Sequence, residues 1–246
     1  MNLGARLQAV IELMTVILNS PRPADNEVLA FFRGRRFVGA KDRRAISDQA
    51  WRIQRQRARL TWALGTDTPD ARLLVLADLV ANEHKTLDGL SGLFSGTKYG
   101  PSPLLANERR MAARAGEFAR RTEIPRAVKL ETPEWLLPKL DAAFGADADA
   151  EIAALSTEAA LDLRANTLQA SRDDVMKLLD DQGHKPQPTP MSPHGLRVTA
   201  RMNLGSHKEF RDGMFEVQDE ASQICALLVD AKPGHAVLDL GAGAGG

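Results

Sequence analysis

Cysteine is almost missing from this chain: 246 residues hold one, Cys225. A disulfide framework within the chain is excluded, and the usage fits a reducing cytoplasm. The five histidines, at 84, 184, 194, 207 and 235, stand far apart with no cysteine or histidine at ligand spacing, so no metal site is expected. No long apolar run is present. The first twenty residues carry an apolar stripe, but Arg6, Gln8 and Glu12 interrupt it, which rules out a signal peptide or a membrane span there. Internal repeats, heptads and low-complexity tracts are lacking, and no nucleophile–base pair is evident. Net charge is also lacking, with 32 Lys/Arg against 32 Asp/Glu. That zero conceals an asymmetry: residues 1–62 carry 12 basic and 5 acidic side chains, and the remainder 20 and 27. A cationic amino-terminal lobe points to a polyanionic partner, with a solvated helix surface as the competing explanation.

What is there begins with helices. Leu3, Leu7, Val10, Met14 and Ile17 recur at helical spacing and predict an amphipathic first helix, ended by Ser20-Pro21-Arg22-Pro23. A short helix through Phe32 follows, offering Val28, Leu29, Phe31 and Phe32 to a core. After a basic stretch containing Arg33, Arg35, Arg36, Lys41, Arg43 and Arg44, one long helix is expected from about Asp42 to Leu64. Ile46, Ala50, Ile53, Leu60 and Leu64 share one face of it. Arg44, Arg52, Arg55 and Arg59 fall opposite, a row of four exposed guanidiniums, while Arg57 points into the apolar stripe and should snorkel. Planar guanidinium forks suit phosphate, so these arginines and Lys41 are the candidate nucleic-acid contacts.

Residues 71–121 read as helical, broken by a Gly/Pro turn region at 96–102. Residues 124–131 read as a loop, and Thr132-Pro133-Glu134 as the start of a helix that closes at Phe144-Gly145. Composition then shifts. A short helix at 151–156, an alternating strand at 160–166, a helix opened by Ser171, and strands at 196–198 and 215–217 make a small α+β module. A helix over about 218–229 leads to Val237-Leu238-Asp239-Leu240, which reads as a buried strand feeding Gly241-Ala242-Gly243-Ala244-Gly245-Gly246. A strand running into glycines is how doubly wound domains bring backbone amides to a nucleotide.

Three stretches together resemble one family. Leu163-Arg164-Ala165-Asn166-Thr167 with Ser171-Arg172, then Val217-Gln218-Asp219-Glu220-Ala221-Ser222, then residues 237–246 are similar, in order, to segments of bacterial Sun/Fmu-type RNA 5-methylcytosine methyltransferases. The last of these resembles their first S-adenosylmethionine motif, although Gly241 stands where the family usually has cysteine and Ala244 where it has proline. Phe31-Phe32-Arg33 and Lys41-Asp42-Arg43-Arg44 resemble the NusB-like RNA-binding domain that precedes the core in many members. The resemblance implies an all-α NusB-like domain over 1–145, the small α+β module over 146–212, and from 213 the first strand and glycine loop of an incomplete Rossmann-like methyltransferase domain. It implies S-adenosyl-L-methionine held by Asp239 and residues 241–246, and structured RNA, chiefly small-subunit ribosomal RNA, as partner rather than duplex DNA or a membrane.

In that family one cysteine thiolate attacks cytosine C6 and a second assists product release. Cys225 matches neither motif and is expected to be a small buried residue. The chain as it stands is therefore expected to be inactive, truncated within the cofactor motif, and a weak binder of free cofactor. Two other readings stay open. One is a non-catalytic NusB-like RNA-binding protein. The other takes Gly241-x-Gly243-x-x-Gly246 as the fingerprint of a nicotinamide-dependent oxidoreductase, whose confirming acid would lie about 20 residues further on.

Overall fold

An aliphatic stripe along one side of a helix needs a partner surface, and here seven helices supply it to one another. The computed structural model describes residues 1–118, 121, 123–199, 202 and 204–242. It divides into two compact units, Met1–Thr157 and Glu158–Gly246. In the first, α1 (Leu3–Asn19), α2 (Ala24–Arg33), α3 (Ala40–Arg55), α4 (Arg57–Leu64), α5 (Ala71–Ala81), α6 (Leu87–Leu93) and α7 (Ala106–Gly116) enclose one hydrophobic core. The expected faces are the buried ones: Leu7, Val10, Met14 and Ile17 of α1, and Ile46, Ala50, Ile53, Leu60 and Leu64 beyond it. Leu3 and Leu29, both expected in apolar faces, are 52% and 56% exposed instead. Side-chain caps start α1, α5 and α6, where Asn2, Asp70 and Thr86 accept from backbone amides three residues on.

The helix at the centre is α5. Leu74 to Val80 are all buried, seven residues in a row, as expected of a helix surrounded on every side. One of the seven is Asp78, with no exposed surface. Its carboxylate accepts two hydrogen bonds from Arg52, at 2.7 and 2.6 Å, and others from Gln49 and Asn82. A buried carboxylate is tolerated only when its lone pairs are used this way.

The long helix expected over 42–64 is two helices. Gln56 leaves the helical region, with φ −111° and ψ 25°, and the chain restarts as α4. The amides of Ala58 and Arg59, freed by the break, donate to the carboxylate of Glu131 at 2.8 and 3.0 Å. Burial pushes the Glu131 carboxyl up, against these hydrogen bonds. Arg57, expected in the apolar stripe, is exposed instead, because the break ends the continuous spiral on which that placement rested.

Residues 126–157 add three short helices, α8 (Arg126–Lys129), α9 (Leu137–Phe144) and α10 (Ala148–Leu155), around Leu130, Leu137, Ala148 and Ile152. α8 lies where a loop was expected. Thr132 does not cap α9, which begins five residues later; its hydroxyl donates to the Leu130 carbonyl. α10, assigned from sequence to the middle module, packs on α9 and falls in the first unit.

The second unit is a four-stranded antiparallel sheet in the order β2-β3-β1-β4, built from β1 (Leu161–Ala165), β2 (Gln187–Pro188), β3 (Gly195–Val198) and β4 (Phe215–Val217). Leu163 pairs with Leu196 on one side and Val217 on the other. Helix α11 (Arg172–Asp181) starts with a reciprocal Ser171–Asp174 capping box and ends near Gly183, at φ +84°. It sets Val175 and Leu179 against Leu163, Leu196, Val198 and Phe215. α12 (Lys208–Arg211) precedes β4, and α13 (Glu220–Leu228) follows it. β4, assigned from sequence to a separate cofactor domain, hydrogen-bonds to β1 and so completes this sheet. Val237–Leu240 is not the expected buried strand: it pairs with nothing among the described residues, and Val237, Leu238 and Leu240 are 59%, 86% and 92% exposed. A strand needs a neighbour for its backbone groups, and none is alongside among the described residues.

Removing Arg52 should leave Asp78 buried and undercompensated. Arg52→Ala is expected to destabilise the helical unit by about 2–4 kcal/mol in urea unfolding followed by circular dichroism. A loss under about 0.5 kcal/mol, the level of an ordinary surface substitution, would show that this pair does not hold α3 to α5.

Candidate nucleic-acid interface

The nine candidate cations do not form one face. Arg33, Arg36, Lys41 and Arg44 are exposed and make no ion pair among the described residues. Arg33 and Arg36 share a hollow with Arg43, floored by Leu29 and Phe32. Lys41 and Arg44 stand three residues apart on α3, and so are neighbours on its surface. Arg43 is partly spent: its Nε donates to the Val38 carbonyl at 2.7 Å, and its guanidinium lies 5.7 Å from the Phe32 ring. Arg35 stacks 3.7 Å above the Phe31 ring and pairs with Glu12 at 2.9 Å.

The expected row of four exposed guanidiniums on the helix is absent. Arg52 is held by Asp78 and Glu83, and Arg59 by Glu131 and the Lys129 carbonyl. Arg44 alone of the four is exposed, and Arg55 is half-buried. The reason is the buried acid in α5 together with the break at Gln56. Neither is visible in the spacing of arginines.

In the second unit, the motif residues are structural. Asp162, 6% exposed, accepts both forks of Arg197 at 2.6 and 2.7 Å. The Arg197 guanidinium holds the Asp162 carboxyl below the usual carboxylate range, against the opposing effect of burial. The amide of Glu220 also points to Asp162, and Gln218 donates its amide to the Asp162 carbonyl. Glu220 in turn accepts the amides of Met191 and Ser192 at 2.6 and 2.9 Å. The Ser192 amide, first among these, holds the Glu220 carboxyl down. Gln223 closes the set, accepting from the Ser192 hydroxyl and donating to the carbonyls of Leu163 and Gln218. Gly195 sits at the tightest point: a Cβ there would come within 2.1 Å of the Thr189 hydroxyl. The Gln218–Ser222 segment thus fastens the start of α13 to the sheet. The Leu163–Thr167 segment is likewise occupied internally. Arg164 pairs with Glu216 across β1 and β4, and Asn166 donates to the Gly213 carbonyl.

Of the candidate cofactor residues, Asp239, Gly241 and Ala242 are described, and all three are exposed. Gly241 takes φ +86°, the left-handed conformation that glycine permits. Gly243, Ala244, Gly245 and Gly246 lie outside the described residues. Among the described residues no hydrogen bond ties 236–242 to the sheet. Cys225 is exposed on α13 rather than buried as expected. Ile224 is half-buried, while Leu227 and Leu228 of the same helix are exposed too, so the helix turns an apolar side to solvent. His184 and His207, remote in sequence, meet with ring centroids 5.0 Å apart, which spacing could not reveal.

Comparison with known proteins bears on this sheet. Residues 132–205 match the family described as "Methyltr_RsmF/B-like, ferredoxin-like domain". Curated relatives named "Ribosomal RNA small subunit methyltransferase B" are 32% identical: that of Serratia proteamaculans over 114 residues, and that of Pseudomonas syringae pv. tomato over 119. Over residues 132–205 the chain is similar to this RsmF/B-like ferredoxin-like domain, and over about half its length to these ribosomal RNA small subunit methyltransferases B. The matches take in 46% and 48% of this chain and 27% of each relative, so the chain spans about a quarter of the curated relatives it matches. The crystal structure of PH0851 shares the fold at a TM-score of 0.62 and 18% identity, over 94% of this chain and 56% of that one. The matched residues include β1, α11, β2 and β3 of the sheet unit. No described helix is long and apolar enough to cross a membrane.

Because Asp162 is held ionised in the folded state, the stability it contributes is present above the ordinary carboxylate pKa and is lost as pH falls through and below that range. Asp162→Asn should cost about 1–3 kcal/mol at pH 7. The gap between wild type and variant should narrow as the pH is lowered towards 3, read from urea midpoints. A gap independent of pH would show that the ion pair is not what stabilises the sheet.

Proposed function

We propose that this chain is the RNA-engaging portion of an S-adenosylmethionine-dependent RNA cytosine-C5 methyltransferase, with small-subunit ribosomal RNA as its substrate. The observation that carries the reading is that one chain holds both a family-matched sheet and a helical unit with exposed, unpaired cations around the end of α2 and the start of α3. Arg33, Arg36, Lys41 and Arg44 have no protein partner among the described residues, whereas Arg52 and Arg59 are paired. Cations left without acids on a folded surface are available to phosphate. The helical unit is the NusB-like domain of this reading.

The tail and α13 fit the same account. Leu227, Leu228, Val229, Val237, Leu238 and Leu240 are all exposed. Such an apolar run is more than a monomer surface ordinarily shows, and it is what the first helix and strand of a methyltransferase domain present to the remainder of that domain. In this reading the network of Asp162, Glu220 and Gln223 is the joint that fixes the sheet to the methyltransferase domain. Residues 237–246 form one wall of the cofactor site. Cys225 precedes that wall and is not the nucleophile, and these 246 residues alone do not methylate RNA. No catalytic step is assigned to the residues present.

If the free cations neutralise phosphates, RNA affinity falls steeply with salt, and each lost contact flattens the logarithmic slope by roughly 0.7–0.9. The double variant Arg33→Gln/Arg36→Gln should lower the slope by about 1.5, while Arg22→Gln should leave it unchanged. Arg22 pairs with Glu27 at the far end of α2 and serves as the control. Equal slopes for wild type and the double variant would remove these residues from the interface.

A further inference from the structure

Aromatic side chains are scarce in this chain; Phe31, Phe32, Phe94 and Phe215 are buried. Three are more than 60% exposed, Phe37, Tyr99 and Trp135, at 78%, 71% and 68%. Phe37 and Tyr99 come from segments some sixty residues apart, yet both line one groove along α1, together with Ala5, Gln8, Ala9 and Val38. Tyr99 is the only tyrosine, and it is held at φ +71°, a conformation rare for residues with a side chain. A turn closed by the Gly100 amide on the Thr97 carbonyl supports it, and that turn lies against the start of α1, where Gly100 passes within van der Waals reach of any Cβ at Gly4.

The groove also has a polar edge. Glu12 accepts from Gln8 at 3.1 Å and from Arg35 at 2.9 Å, and both members of the Glu12–Arg35 pair keep over a third of their side-chain surface open. Cations flank it. Arg36, exposed, immediately precedes Phe37, and the Lys98 ammonium lies 5.1 Å from the Tyr99 ring centroid. Flat apolar faces, edge hydrogen-bonding groups and unpaired positive charge are together what an unstacked nucleobase with its phosphate requires. An apolar peptide would use the faces but not the cations. Duplex RNA would use the cations but not the faces, because its bases are already stacked.

We infer that the Phe37–Tyr99 groove is a base-docking site for single-stranded RNA, adjoining the Arg33–Arg36 phosphate contacts. The inference rests on the RNA reading above and adds to it the strand state of the segment held at this point. Bases stack on Phe37 or Tyr99, the Gln8–Glu12–Arg35 edge meets their hydrogen-bonding groups, and Arg36 and Lys98 hold the flanking phosphates.

The test uses the full 246-residue chain and fluorescence anisotropy with one labelled oligoribonucleotide of about 12 nucleotides, single-stranded or annealed to its complement. Phe37→Leu and Tyr99→Leu keep apolar bulk and remove the π face. Each is expected to weaken single-strand binding roughly ten-fold while leaving duplex binding and the salt slope unchanged. Phe37→Trp should retain affinity and show indole emission quenched by the single strand. Single-strand affinity unaltered in both leucine variants, with Arg33→Gln/Arg36→Gln still flattening the salt slope, would overturn the base site and leave the RNA reading standing. A wild-type chain that binds neither RNA form would overturn both. If RNA-free protein self-associates in sedimentation and Phe37→Leu abolishes it, the groove is a contact between two copies, and the inference is likewise overturned.

Discussion

A carboxylate with no exposed surface sits in the middle of the most buried helix of this protein, and much of the first unit's surface chemistry follows from it. Asp78 must be matched by donors, and the strongest available is Arg52. Meeting that requirement draws α3 against α5 and leaves Arg52 paired on a helix whose Arg44 is exposed. Glu131 does the same at the adjoining helix break, holding the first amides of α4 and drawing in Arg59. Two acids supplied from elsewhere in the chain thereby sort the arginines into those that hold the fold together and those left on the surface. Of the nine candidate cations, those left exposed, at 33, 36, 41 and 44, lie around the end of α2 and the start of α3.

The second unit follows the same logic with different partners. Its sheet is ordinary in register, with apolar residues of β1, β3 and β4 facing α11. What sets it apart is the polar seam along β1. Asp162 binds Arg197 within the sheet and receives the backbone entering α13, while Glu220 and Gln223 reach back to the loop before β3. Every one of these groups is an acceptor or donor that would be costly to leave unmatched away from water. The Gln218–Ser222 segment is thus fixed to the sheet by its own hydrogen bonds.

The helices, their faces and the change to a mixed α/β composition were legible in the residues. Leu7, Val10, Met14 and Ile17, the Ser171 cap and the alternation over 161–165 each encode their structure locally, through spacing or a side chain that bonds its own backbone. Reading failed wherever the deciding partner lay far along the chain. Nothing near Gln56 marks a break, because the acceptor that stabilises it is Glu131. Nothing near Thr132 shows that its hydroxyl will go to Leu130 and leave α9 to begin later. Val237–Leu240 has strand composition, yet composition cannot provide the neighbouring strand that would complete its hydrogen bonds.

The same division holds for function. The resemblance to a family was carried by short ordered motifs, which are local in sequence and survive without any knowledge of contacts. Which cations remain free, which aromatics share a groove, and what the motif acids bind were settled only in three dimensions. Charge and apolar surface are cancelled or exposed by partners that folding brings from distant segments. A one-dimensional pattern states what a side chain can do; the packed chain decides whether its capacity has already been used.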